Sequence, residues 1–146
     1  MPSTVRGLSA VDASFVPVRR PRRGRPLHTV FDQLHDQYHR YGRLLKYSGD
    51  RRIWSTYPST HKEYCPLADP PATNSPYHKF GPLIARLELI DALVCFAYSI
   101  WNRDYHRRTC SRDTWGTIEA FLAWCKHKWS GEDTIGDREK AFIGLM

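Results

Sequence analysis

LIARLELIDALVCFAYSIW, residues 83–101, is the stretch whose reading decides the fold. Its apolar side chains stand at 83, 84, 87, 90, 93, 94, 97, 100 and 101. Steps of three and four are the helical period, so one face of a helix is continuously apolar. Each such side chain is worth roughly 1.5–3 kcal/mol when buried, which predicts that this face is covered. Arg86, Glu88 and Asp91 interrupt the run, and a membrane span needs about 20 nearly uncharged residues. The stretch therefore reads as the central helix of an all-α domain, opened by Pro82 and running to about Arg103.

Outward from it, the same period recurs. Leu27, Val30, Phe31, Leu34, Tyr38, Tyr41 and Leu45 form a stripe that predicts a helix over 27–54, with Pro26 at its start. Gly42 and Gly49 are its weak points, each costing about 1 kcal/mol in helix propensity. Trp115, Ile118, Phe121, Leu122, Cys125 and Trp129 predict a third helix over 112–129. Ser111 is its N-cap, and Gly131 is its stop. A short fourth helix over 137–146 is capped by Asp137 and carries Phe142, Ile143, Leu145 and Met146. A helix that short is marginal alone, so these four residues are the candidate interface. Between Ser55 and Pro82 the prolines at 58, 66, 70, 71, 76 and 82 break every helical pattern and predict a long Pro-rich loop.

Charge divides the 146-residue chain differently. Residues 1–26 hold Arg6, Arg19, Arg20, Arg22, Arg23 and Arg25 against Asp12, six minus one, or +5 of the net +7. Together with Pro17, Pro21 and Pro26 this predicts a disordered basic tail over 1–26 and a helical domain over 27–146. The run Arg19-Arg20-Pro-Arg22-Arg23-Gly-Arg25 has three readings: a nuclear-import signal, a nucleic-acid-contacting arm, or a solubilising tail. No secretory apolar run occurs in it, and its prolines oppose the amphipathic helix of a transit peptide.

Chemistry-bearing motifs are sparse. Cys65, Cys95, Cys110 and Cys125 form no CxxC or CxxH pair and read as reduced, structural residues of an intracellular protein. His35 and His39 lie four residues apart with Asp36 between them, an arrangement near the HExxH pattern of zinc proteases. Asp36 is shorter than the Glu general base and no third ligand stands out, so both imidazoles read as polar groups on the solvent side of the first helix. No Walker, GxGxxG or GxSxG motif occurs. The expectation is a non-enzyme with no catalytic, metal or cofactor-binding residues.

The residues also carry a likeness. Tyr38-His-Arg-Tyr-Gly-Arg-Leu-Leu-Lys46-Tyr-Ser-Gly-Asp50 resembles the AKKLKHEAD-like helix of the C-terminal homology domain in AFF-family scaffolds. These proteins organise the transcriptional super elongation complex, and fungal ELL-binding proteins look like their counterparts. Leu87 to Phe96 is similar to the family's YLDAALSFIE helix, with Asp91-Ala92 aligned. Trp115–Glu119 through Trp124–Lys126 resembles its YSETVELIRYALRLK helix, and Gly136–Lys140 its GDKKLAVLC helix start. The matches run in the family's order over residues 38–146. The Ser55–Pro82 connection is longer than the family's link, and the last helices of the family domain have no counterpart here.

The resemblance implies an incomplete tetratricopeptide-like antiparallel helical array. Its implied role is a non-catalytic dimerisation or scaffold domain of a nuclear transcription-elongation factor. The implied partners are itself or a homologous helical domain, elongation factors of the ELL type, and nucleic acid; no membrane contact is expected.

Overall fold

The first helix starts at His28, one residue later than expected, with Leu27 in extended conformation as its N-cap and Pro26 just outside it. The computed structural model describes residues 24, 26–131 and 136–145. Within these the chain is all-helical: α1 spans His28–Ser55, α2 Tyr77–Arg107, α3 Arg112–Ser130 and α4 Asp137–Leu145. No strand occurs among the described residues. Residues 56–76 connect α1 to α2 without helix and fold back through short turns, such as His61 N–H to the Pro58 carbonyl at 2.8 Å.

The central helix begins earlier than its sequence suggests. Pro82 was expected to open it, yet α2 starts at Tyr77 and carries Pro82 inside. The opening signal is Ser75-Pro76. The Ser75 hydroxyl accepts the Tyr77 N–H at 3.2 Å and its carbonyl accepts the His78 N–H at 3.2 Å. Proline is tolerated where its missing N–H has no intrahelical partner, and Pro76 occupies such a place. Pro82 lacks one helical hydrogen bond, but the residue before it is Gly81, which has no Cβ for the pyrrolidine ring to strike. At the far end Arg108 adopts the left-handed conformation (φ 53°) and its N–H bonds back to the Asp104 and Tyr105 carbonyls, which ends the helix.

α1 and α2 run antiparallel along most of their length. Phe31 meets Tyr105 with ring centroids 5.4 Å apart, His39 meets Phe96 at 5.5 Å, and near the other end Ser48 and Arg52 both donate to Glu88, at 2.9 and 2.8 Å. What lets the two backbones close is small side chains. Gly42 and Gly49 were expected to be weak points of α1, but both are buried at the contact. A methyl at Gly49 would stand 2.9 Å from Leu89 Cγ and 3.1 Å from the Ala85 carbonyl oxygen. A methyl at Gly42 would stand 2.8 Å from the Phe96 ring. Helix propensity favours alanine at such sites by about 1 kcal/mol, whereas overpacking costs about 1–3 kcal/mol, so close approach decides these positions.

α3 packs back along α2, and its C-terminal end completes the core. Ile53 of α1, Ala85 and Leu89 of α2, and Cys125 and Trp129 of α3 bury together, with Tyr57, Ile90 and Phe121 packed against them. α4 packs on α3.

The outcome for the central stripe is a correction. The inner face of α2 is built from Ala85, Leu89, Ala92, Ser99 and Ile100, all buried. Of the stripe expected to be covered, only Ile100 is buried; Leu87, Val94 and Trp101 are exposed, and 83, 84, 90, 93 and 97 are intermediate. Periodicity finds residues that share a face. It does not say which face a neighbour covers, and here the small residues won the close contact.

Candidate functional site

α2 has apolar residues on more sides than α1 and α3 cover. On its outer face Phe80, Leu87, Val94, Tyr98, Trp101 and Tyr105 remain 44, 52, 60, 38, 46 and 50 % exposed. Three of the aromatic members, Tyr98, Trp101 and Tyr105, form a connected row. Tyr98 and Trp101 stack with centroids 5.8 Å apart, Trp101 and Tyr105 at 5.0 Å, and Tyr38 of α1 meets Tyr98 edge-on at 4.6 Å. Tyr41, itself exposed, continues the row through Tyr38 at 6.0 Å. Stacked rings lose little rotamer freedom when another surface covers them, which is what binding anchors need.

A second feature lies on the opposite flank. The α1 and α3 backbones do not approach each other closely, and the space between them is a groove of about 730 Å³ floored by α2. Phe96, Ile118 and Phe121 supply its apolar surface; Arg40, Arg43, Lys46 and Arg103 supply positive charge. Lys46 is held by Asp50 at 2.6 Å and Arg103 lies 3.6 Å from Asp104.

His35 and His39 line this groove; His39 is exposed, as expected of the solvent side of α1, whereas His35 is not. His35 is half-buried against α2. The Ser99 hydroxyl donates to the His35 carbonyl at 2.8 Å, so the close approaches of His35 Nδ1 to the Ser99 hydroxyl and carbonyl, 2.8 and 2.9 Å, require the proton on Nδ1. His35 is thus a bridge between helices, with Ser99 fully buried beneath it. Among the described residues, no group of three or more His, Cys, Asp or Glu is placed to hold a metal.

The four cysteines are all unpaired with one another. Burial, with Asp50 nearby, pushes the Cys125 thiol up to about 12, and burial also raises Cys95. Neither is an activated thiolate, and Cys125 packs in the core.

Asp104 carries the turn between α2 and α3, a role with no motif in the sequence to mark it. Its carboxylate accepts the Ser111 N–H at 3.0 Å and the Trp115 indole N–H at 2.9 Å, and its carbonyl accepts the Thr109 N–H at 3.0 Å. Burial alone would raise its pKa, but these hydrogen bonds and Arg103 hold it below the ordinary carboxylate range. Ser111 does precede α3, though its hydroxyl contacts Thr114 rather than a backbone N–H.

Of the expected site residues, Leu145 is 86 % exposed on α4. The side chains of Phe142 and Ile143, and all of Met146, lie outside the described residues, as do Arg19, Arg20, Arg22, Arg23 and Arg25. Leu87, Val94 and Trp101 of the outer face belong to the stripe expected in the core, whereas Phe80, Tyr98 and Tyr105 lie outside that stripe. No helix among the described residues is long and apolar enough to cross a membrane. Comparison with family models, curated proteins and solved structures finds no match.

Proposed function

We propose that this chain is a non-catalytic helical interaction module that works by presenting the outer face of α2 to another protein surface. The observation that carries the reading is the exposed row from Phe80 to Tyr105. Four aromatics of about 150–250 Å² each, roughly half exposed, with the aliphatic members between them, give on the order of 500–700 Å² of apolar surface. That is at or above the largest patch of a typical monomer, about 300–600 Å². A direct test is binding of an apolar fluorescent dye. The wild-type chain is expected to bind it, and L87E/V94E is expected to lose the signal at unchanged helix content. A wild-type chain that binds no dye would remove this reading.

The finer assignment is an incomplete tetratricopeptide-like array acting as a dimerisation or scaffold domain in nuclear transcription elongation. Its partners would be a second copy, a homologous helical domain or an ELL-type factor. Its support is the order of the AFF-like segments over residues 38–146 and the Arg19–Arg25 run, which suits nuclear import. Deleting residues 1–26 is expected to abolish nuclear accumulation without altering the circular dichroism spectrum. A truncated chain that still concentrates in the nucleus would count against import by this tail. A nucleic-acid-binding role is the second reading, favoured by the +5 tail and by Arg40 and Arg43 in the groove. Under it, the same deletion flattens the dependence of binding on salt.

A further inference from the structure

The outer face of α2 follows a stricter rule than amphipathicity. From the start of the row its positions are Phe80, Ile84, Leu87, Asp91, Val94, Tyr98, Trp101 and Tyr105. The steps alternate four and three without a break, the spacing of a coiled-coil seam. A three-helix unit needs no such regularity on a surface that faces water. The residues opposite the seam, Leu89 and Phe96, pack inward, so the heptad belongs to the outer face alone. A helix apolar on all sides is normally covered on all sides, and α1 and α3 leave this side open.

We propose that α2 pairs with α2 of a second copy of this chain as an antiparallel two-stranded coiled coil. This rests on the interaction-module reading above and names its partner and register.

Three observations select this occupant. The first is self-complementarity. A two-fold axis between Ala92 and Leu93 sets Phe80 opposite Tyr105, Ile84 opposite Trp101, Leu87 opposite Tyr98 and Asp91 opposite Val94. Every layer then joins a position of one heptad class to the other class, as antiparallel pairing demands, and a large ring meets an aliphatic side chain in two of the four, Ile84 with Trp101 and Leu87 with Tyr98. The second is Asp91, the one charged member of the seam and exposed. Parallel in-register pairing would set two Asp91 carboxylates face to face, which like charges resist. The two-fold arrangement offsets them by only about 4.5 Å along the axis and places each against Val94 of the other copy, so Asp91 remains a destabilising layer at the centre of the seam. A single polar seam position commonly fixes register at a cost in stability. The third is area. On the order of 500–700 Å² of seam from each copy, extended at the rim by Tyr38 and Tyr41, exceeds the roughly 1,000 Å² total that separates specific interfaces from casual contacts.

Charge at the seam's flanks does not compete with this choice. On the α3 side the flanking residues are Leu83, Ile90 and Ala97, all half-buried and apolar. On the α1 side Glu88 is occupied by Ser48 and Arg52.

The test uses the full chain. Light scattering after size exclusion is expected to show a dimer at about 100 µM that persists at high salt, because the contact is apolar. L87E/V94E is expected to weaken it by at least about tenfold while keeping the wild-type helix content. Register is read by oxidative cross-linking. Residues 87 and 98 meet across the seam, whereas 87 and its own counterpart stand about 16 Å apart along the axis, beyond disulfide reach. L87C/Y98C should therefore form an interchain disulfide, and L87C or Y98C alone should form no more than wild type with its native cysteines. Cross-linking by each single variant would indicate parallel pairing and overturn the proposal. A monomer at 100 µM would overturn it as well. If that monomer still binds apolar dye through Leu87 and Val94, the interaction-module reading stands with another partner; if it binds none, both fall.

Discussion

Trp129→Ala is expected to cost about 3–5 kcal/mol and to leave the chain close to its unfolding midpoint under ordinary conditions. Trp129 is 1 % exposed and is the largest fully buried side chain. It closes a core in which α1 contributes Ile53, α2 contributes Ala85 and Leu89, and α3 contributes Cys125. The backbones of α1 and α3 stand apart, so the indole fills space between them that alanine would leave open. Domains hold only about 5–15 kcal/mol in total, which makes this loss a large fraction. Trp129→Phe should be milder, because the indole N–H finds no acceptor among the described residues and its removal forfeits no hydrogen bond. Urea unfolding followed by circular dichroism measures both. A Trp129→Ala chain within about 1 kcal/mol of wild type would mean that the end of α3 is not docked.

The second large effect concerns Asp104. Asp104→Ala is expected to destabilise by about 2–3 kcal/mol at pH 7, since it orphans the Ser111 N–H and the Trp115 indole while removing a charged acceptor. The wild-type carboxylate is held below its ordinary value, so its contribution is complete above the unfolded-chain pKa near ~3.9 and is lost as pH falls through the folded value. The gap between variant and wild type should accordingly narrow below about pH 4. Thermal melts at pH 7 and pH 3 report it. An equal gap at both would show that the lost stability comes from packing and not from the carboxylate.

These residues also mark how far the sequence can be read. Helix existence was legible, because the three-and-four spacing of Phe31, Leu34 and Tyr38, or of Ile118, Phe121 and Cys125, has no strand counterpart. The boundary at Tyr77 was not, since two Ser- or Gly-preceded prolines, Pro76 and Pro82, compete for the same signal. Gly42 and Gly49 read as propensity defects because close approach is a property of two helices and not of one. His35 read as a surface residue because its partner Ser99 lies on another helix. Leu87, Val94 and Trp101 read as core because apolar periodicity is identical whether a face is covered or open, and Phe80, Tyr98 and Tyr105 fell outside the stripe altogether.

The order in which the helices touch has its own consequence. α1 packs on α2, α2 on α3 and α3 on α4, so backbone neighbours in space are neighbours in sequence. Such a layout keeps loop-closure entropy low and favours rapid folding. It also gives the molecule a direction in which to come apart. α4, which among the described residues packs on α3 alone, opens without disturbing the helices upstream, whereas α2 cannot open until both flanking helices have let go. Amide hydrogen exchange would meet this as a gradient running backwards along the chain, fastest in α4 and slowest in the middle of α2.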